Sequence, residues 1–103
     1  MEHKSIEYSW KWITADELLS KVACELCCLM MTSKQGPSVI HVYDGENTNG
    51  TFLGRFETLA NRSQVFCPKM PIYCRRGLYI DVRENLEGVL IQWRELEHEK
   101  REG

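Results

Sequence analysis

Apolar and polar residues alternate along most of this 103-residue chain, and this period of two is the strongest restriction on its fold. Successive side chains of a β-strand point to opposite faces, so the alternation is typical of half-buried strands. The period alone therefore predicts five strands. They are IEYSWKW (6–12), VIHVYDG (39–45), TFLGRFETL (51–59), LYIDV (78–82) and GVLIQW (88–93).

Two further segments have less regular patterns. Residues 21–32 are apolar on both faces, as in a central strand or a buried helix, and Asp16 lies where a helix cap could lie. We predict a long strand at 21–32, preceded by a turn or short helix at 14–19. Pro68 and Pro71 predict edge pairing or a kinked passage in the segment around them.

Turn sequences recur roughly every 8–12 residues, a spacing that indicates an all-β sandwich or barrel. We predict an all-β, single-domain antiparallel β-sandwich, jelly-roll-like, with seven or eight strands and at most one short helix. The domain covers residues 1–93, and the charged residues 94–103 form a C-terminal tail. The turns are SKQGP, GENTNG, LANRS, CRRG and ENLEG.

The loop DGENTNG, which begins at Asp44, has the oxygen-rich composition of a cation site. An EF-hand loop needs Gly at its sixth position and Glu at its twelfth, where this chain has Asn49 and Arg55. Asp and Asn side chains also bond to nearby backbone and hold turns without metal. The loop is therefore interpreted as a structural turn, with an irregular cation site or a contact loop as the alternatives.

The formal charge of −2 lacks the basic excess that binding to nucleic-acid phosphates requires. The N-terminal MEHKSIEYSW lacks a signal-peptide pattern, and no segment reaches the ~18 apolar residues of a membrane span. We expect synthesis in a cytoplasm, with neither nucleic acid nor membrane as a partner.

Five cysteines, Cys24, Cys27, Cys28, Cys67 and Cys74, are many for this length. Their odd number and the expected reducing compartment predict reduced, mostly buried thiols. The short spacing of the first three could also suit a zinc site, although Cys24 and Cys27 would face opposite sides of a strand. We predict no metal and no cofactor, and keep a zinc-stabilised adaptor as a second alternative.

Catalytic patterns are scarce in the chain. A nucleophilic cysteine needs a histidine, and the three histidines are His3 and His98 in the terminal segments and His41 within a strand. No nucleophile elbow, phosphate-binding glycine loop or His-Glu-x-x-His motif is present. We predict that the protein is not an enzyme and has no small-molecule substrate.

Tyr8, Trp10 and Trp12 form an aromatic stripe at strand spacing. Tyr and Trp are enriched in cores and subunit interfaces, and their rings can also stack on sugars. We predict that the stripe is an assembly interface on an N-terminal strand, residues 6–13, that acts as an arm. A carbohydrate- or surface-binding module that uses Trp10 and Trp12 is the alternative.

The order of segments in residues 20 to 93 resembles that of small phage-encoded virion structural proteins with a compact β-sandwich. The resemblance rests on Tyr43-Asp44-Gly45, Gly50, Leu53 to Leu59, and Gly77-Leu78-Tyr79-Ile80-Asp81-Val82. It implies a non-enzymatic part of a bacteriophage particle, made in the host cytoplasm and located in the virion. Multiple copies would assemble on capsid or tail, as decoration or connector-like proteins, with one another and with other virion proteins. The dense cysteines, the N-terminal Trp pair and the charged C-terminus depart from this pattern.

Overall fold

The computed structural model describes residues 8–84 and 86–96, and all regular secondary structure in these ranges is β-strand. The all-β prediction is confirmed. The nine strands are β1 (Ser9–Ile13), β2 (Glu17–Ser20), β3 (Cys24–Ser33), β4 (Ser38–Asp44), β5 (Thr51–Thr58), β6 (Ser63–Phe66), β7 (Ile72–Cys74), β8 (Leu78–Glu84) and β9 (Leu86–Glu95).

The strands form two antiparallel sheets that pack face to face. Sheet A has the order β1-β9-β3-β6, with β7 also paired to β3, and sheet B has the order β2-β8-β4-β5. β6 pairs with Leu29–Thr32 and β7 with Cys24–Leu26, so the two lie end to end along one edge of β3. Counted as one strand interrupted at Pro68 and Pro71, they give the two four-stranded sheets of a jelly roll. The predicted jelly-roll-like sandwich and the proline-broken edge strand are both confirmed.

The core lies between the sheets and is built from alternate residues of the central strands. Ile40 and Val42 of β4 are fully buried, whereas His41 between them is only half-buried, as the alternation predicts. The largest fully buried apolar side chains are Leu26, Leu29, Met31, Ile40, Leu78, Ile80, Ile91, Val42 and Val89.

The predicted turn or short helix at 14–19 is wrong at its second half, because residues 17–20 form β2 and pair with β8. Asp16, interpreted as a helix cap, instead accepts a hydrogen bond from the backbone N–H of Val82 at 2.8 Å. Its carboxylate thus ties the start of β2 to β8. Leu19 packs against the core from the middle of the strand.

The segment boundaries differ slightly from the predicted ones. The long strand begins at Cys24 instead of residue 21, and β9 continues to Glu95, two residues into the predicted tail. Residues 6 and 7 of the predicted arm and 97–103 of the tail, including His98, lie outside the described residues, as does His3.

No helix in the described part of the chain has the length and apolarity to cross a membrane.

The loop that begins at Asp44 is a turn held by Asp and Asn side chains that accept hydrogen bonds from the backbone, as predicted. Asn47 Oδ1 accepts a hydrogen bond from the backbone N–H of Asn49 at 2.8 Å, which holds the loop locally. Asp44 acts over a longer range: its two carboxylate oxygens accept hydrogen bonds from the backbone N–H groups of Arg75 and Arg76, at 3.0 and 2.7 Å. The loop between β4 and β5 is therefore clamped to the turn between β7 and β8.

Replacing Asp44 with Ala should lower the free energy of unfolding by about 1–3 kcal/mol, because two backbone donors lose a charged acceptor. Urea denaturation followed by tryptophan fluorescence measures this. Glu46→Ala, which removes an exposed carboxylate from the same loop, is the matched control and should change stability by less than about 0.5 kcal/mol. Equal losses in the two variants would contradict the clamp.

Candidate functional site

The predicted aromatic stripe lies on the outer face of sheet A, the face that points away from the core. Ile13 is opposite Val89, and both side chains are buried in the core. Trp10 and Trp12 are on the opposite face of β1 from Ile13 and therefore point outward. Trp10 and Trp12 are 68% and 45% exposed, and Tyr8 just before the strand is 41% exposed. The structure therefore places the three predicted residues side by side on one surface.

The two tryptophans differ in how they are held. A Cβ added to Gly88 of β9 would lie 2.0 Å from the Trp12 ring, so this indole rests directly on the β9 backbone. Because Gly88 has no side chain, the Trp12 ring fits against the backbone there, and any larger residue at position 88 would fill the space that the ring occupies. Trp10, opposite Gln92 on β9, is the more exposed of the two and forms one side of a groove.

This groove, the Trp10 groove, crosses the outer face of sheet A and has a volume of about 300 Å³. Most of its lining comes from outward positions of β1, β3, β6 and β9, together with the buried Leu29 of β3 and Cys67 just after β6, and is almost wholly apolar or sulfur-containing. Gln92 is the only lining residue with a polar amide side chain. The lining residues are Trp10, Cys28, Leu29, Met30, Val65, Cys67, Leu90 and Gln92.

Reasoning from the sequence did not assign Met30, Val65 and Leu90 to a site. A signal for Met30 was present, because residues 21–32 are apolar on both faces. The two-sided pattern was interpreted as that of a central strand, which β3 is. The described residues leave its outer face uncovered, and this face forms the floor of the Trp10 groove.

A disulfide between Cys28 and Cys67 borders the Trp10 groove. Leu29 is opposite Phe66 in the pairing of β3 with β6, so one further step places Cys28 opposite Cys67, with Cα atoms 4.3 Å apart. The prediction of five reduced thiols is therefore wrong for these two residues. Their proximity depends on a strand pairing that cysteine spacing does not reveal.

The other three cysteines are free. Cys24 and Cys74 are opposite one another on β3 and β7, and both are fully buried, as predicted. The hydrogen bond with Cys24, together with burial, raises the pKa of the Cys74 thiol, and the same bond lowers the pKa of Cys24. Cys27 is half-buried, and burial followed by the nearby Glu25 carboxylate raises its pKa.

The described residues contain no group of three His, Cys, Asp or Glu side chains that could hold a metal ion. Two of the five sulfurs form the disulfide, and Cys24 and Cys74 lie in the core. The geometry therefore gives the zinc-stabilised adaptor no ligand set within residues 8–84 and 86–96.

His41 lies on the outer face of sheet B, where its ring meets the edge of Phe52 at a centroid distance of 5.4 Å. The cysteines belong to sheet A or to the segment between β6 and β7. His41 is thus half-buried within a strand, packs on Phe52, and lies on a different sheet from the cysteines of β3 and β7.

An ion pair lies at one end of the outer face of sheet A. Arg94 donates from Nη2 and Nε to Glu25 Oε1, at 2.9 and 3.1 Å, and its guanidinium lies 5.6 Å from the centre of the Tyr8 ring. The hydrogen bond to Glu25 raises the pKa of Arg94, so the guanidinium stays charged. The surface therefore combines an apolar groove with a paired charge beside it.

Thiol titration should separate the three kinds of cysteine. The unreduced native protein should react slowly at Cys27 alone, and the rate should rise with pH beyond the range of an ordinary thiol, because its pKa is raised. Denaturant without reductant should expose the three free thiols, and reductant all five. Five thiols in denaturant alone would contradict the Cys28–Cys67 bond.

Comparison of the chain with protein-family models, with curated proteins and with solved structures finds no match in any of the three.

Proposed function

We propose that this protein is a non-enzymatic structural component of a bacteriophage particle that assembles in multiple copies on capsid or tail. The resemblance of residues 20 to 93 to small virion proteins supports a location in a phage particle. The jelly-roll sandwich is also an architecture that capsid proteins use. The observation that supports assembly is the exposure of Trp10, whose side chain lies on β1 beside an apolar groove and is 68% exposed.

The outer face of sheet A has the composition of a contact surface. Aromatic and Met side chains are enriched in protein interfaces, and Trp, Tyr and Arg are enriched among the residues that dominate their binding energy. Covering ~100 Å² of the Trp10 ring would contribute about 2.5 kcal/mol of apolar burial. A partner that covered Trp10 together with Met30 and Leu90 would therefore gain substantially from the contact.

The proposed occupant of this face is a second copy of the chain. In a two-fold contact the same patch meets itself, so Trp10 of each copy can enter the Trp10 groove of the other. Arg94 and Glu25 are paired with each other within each copy, so neither brings an unpaired charge to such a contact. Other virion proteins would bind elsewhere on the assembled copies.

The carbohydrate-binding alternative uses the same tryptophans but fits the groove less well. A sugar brings several hydroxyl groups, and a site that binds it needs matching hydrogen-bonding side chains beside the stacking ring. The Trp10 groove offers the amide of Gln92 and otherwise apolar or sulfur atoms. This lining favours a protein surface over a sugar.

Replacing Trp10 with Ser should weaken self-association by about ten-fold or more in dissociation constant, which corresponds to about 1.4 kcal/mol. Sedimentation velocity over a concentration series measures this. The fold should be retained because the ring is largely exposed. Trp12 is a poorer choice because its ring packs on Gly88, so its removal would also disturb the sheet.

Phe52→Ser is the matched control, since it removes a 52% exposed aromatic ring from β5 of sheet B. It should leave the association constant unchanged. A wild-type protein that stays monomeric at ~1 mM, or an equal effect of both substitutions, would contradict the proposed contact. A monomer that binds an oligosaccharide in a Trp10-dependent way would support the binding module instead.

The particle itself has a separate test. The genes on either side of the coding sequence should encode capsid or tail proteins, and the chain should be found by mass spectrometry in purified particles. A metabolic gene neighbourhood, or purified particles that lack the chain, would contradict the virion proposal while leaving the self-association measurable.

A further inference from the structure

A second groove lies at one end of the sandwich, where the turns β2–β3, β4–β5 and β7–β8 meet. It has a volume of about 460 Å³ and shares no lining residue with the Trp10 groove. We call it the turn groove. Its lining residues are Lys21, Val22, Gly45, Glu46, Asn47, Asn49, Gly50, Arg75 and Arg76.

The three turns are packed backbone against backbone, so the turn groove has a preformed shape. Gly77 has a φ of +148°, which favours glycine, and a Cβ there would lie 2.5 Å from the carbonyl oxygen of Ser20. A Cβ on Gly45 would lie 2.8 Å from the Cα of Gly50. The Asp44 clamp then holds the backbone of the β7–β8 turn in place.

Positive charge is concentrated around the turn groove although the whole chain has a formal charge of −2. Lys21, Arg75 and Arg76 all line it, and each reaches it from a turn that is held in place. The four ion pairs in the described part of the chain use other cations, namely Lys11, Arg55, Arg83 and Arg94.

Three carboxylates lie in this region, and one of them, Glu95, accepts a hydrogen bond at 3.1 Å from the hydroxyl of Ser20, the residue before Lys21. Glu46 lines the turn groove and is exposed, so water screens it. Asp44 is half-buried, and both of its oxygens already accept backbone hydrogen bonds. None of the three cations forms an ion pair within the described residues, so their side chains remain available to a ligand.

We propose that the turn groove binds an anionic group with several oxygens, a phosphate or a carboxylate, on Arg75, Arg76 and Lys21. Guanidinium groups bind both anions through paired N–H donors, and a lysine adds a point charge. Asn47 contributes further donors, because its Oδ1 accepts from Asn49 N–H while its amide NH₂ is free to turn to the ligand. This site is independent of the assembly surface on sheet A.

A single small anion should bind weakly because the cations are exposed and each exposed ion pair contributes about 0.2–1 kcal/mol. A dissociation constant of about 1 mM is the expected order of magnitude. Several copies in one assembly would bind a polymer that carries such groups much more tightly, through effective concentration.

The experiment titrates ¹⁵N-labelled full-length protein with inorganic pyrophosphate and, separately, with citrate, at constant ionic strength. Saturable shifts of the backbone amides of Gly45, Gly50, Arg75 and Arg76 are expected for at least one anion. Tighter binding of pyrophosphate would identify phosphate as the ligand chemistry, and tighter binding of citrate would identify carboxylate.

The test variant is Arg75→Gln combined with Arg76→Gln, which keeps the backbone N–H donors of the Asp44 clamp and should weaken binding by about ten-fold. The control is Lys34→Gln combined with Arg62→Gln, which removes the same charge elsewhere. The backbones of these two control residues are also hydrogen-bonded, through Asn61 and Ser33. The control should change the dissociation constant by less than about two-fold.

Two results would overturn the proposal. One is the absence of saturable shifts in these turns with both anions up to ~50 mM. The other is an equal loss of affinity in the test and control variants, which would show that only net charge matters.

Loss of self-association in Trp10→Ser with unchanged anion binding would show that the two surfaces act separately.

Discussion

The antiparallel pairing of β3 with β9 is the interaction on which the rest of the structure depends. Both strands are ten residues long and lie at the centre of sheet A, with β1 on one side and β6 and β7 on the other. Their inward residues supply much of the core. Their outward residues form the floor of the Trp10 groove, so one register determines both the stability of the fold and its candidate contact surface.

The same register explains what could and could not be predicted from the sequence. Alternation within a strand predicts that Ile40 and Val42 share one face, because facing depends only on neighbours along the chain, and the structure shows that this face is buried in the core. The role of Asp16 and the Cys28–Cys67 bond depend on which strands lie side by side. A carboxylate that could cap a helix can equally accept from Val82 of another strand, and local sequence does not distinguish the two.

A strand with apolar side chains on both faces is stabilised when both faces are packed against other residues and removed from water. In sheet A the inner face of β3 is covered by sheet B, whereas Met30 on the outer face is half-buried and lines the groove together with Trp10. Trp12 covers Gly88, and the disulfide fixes the edge of the groove. The described residues thus stabilise this face without covering it, as the proposed contact with a second copy requires.

The two candidate surfaces also differ in what holds them, and this affects how an assembly could use both. The Trp10 groove is made of side chains, which can repack when a second copy approaches. The turn groove is bounded by glycine contacts and by the Asp44 clamp, so its backbone is held before any partner binds. Because the two grooves share no residue, the proposed self-association through sheet A would leave the cations of the turn groove available. Each added copy would then bring one more anion site to the assembly, and affinity for a polyanion would rise with the number of copies.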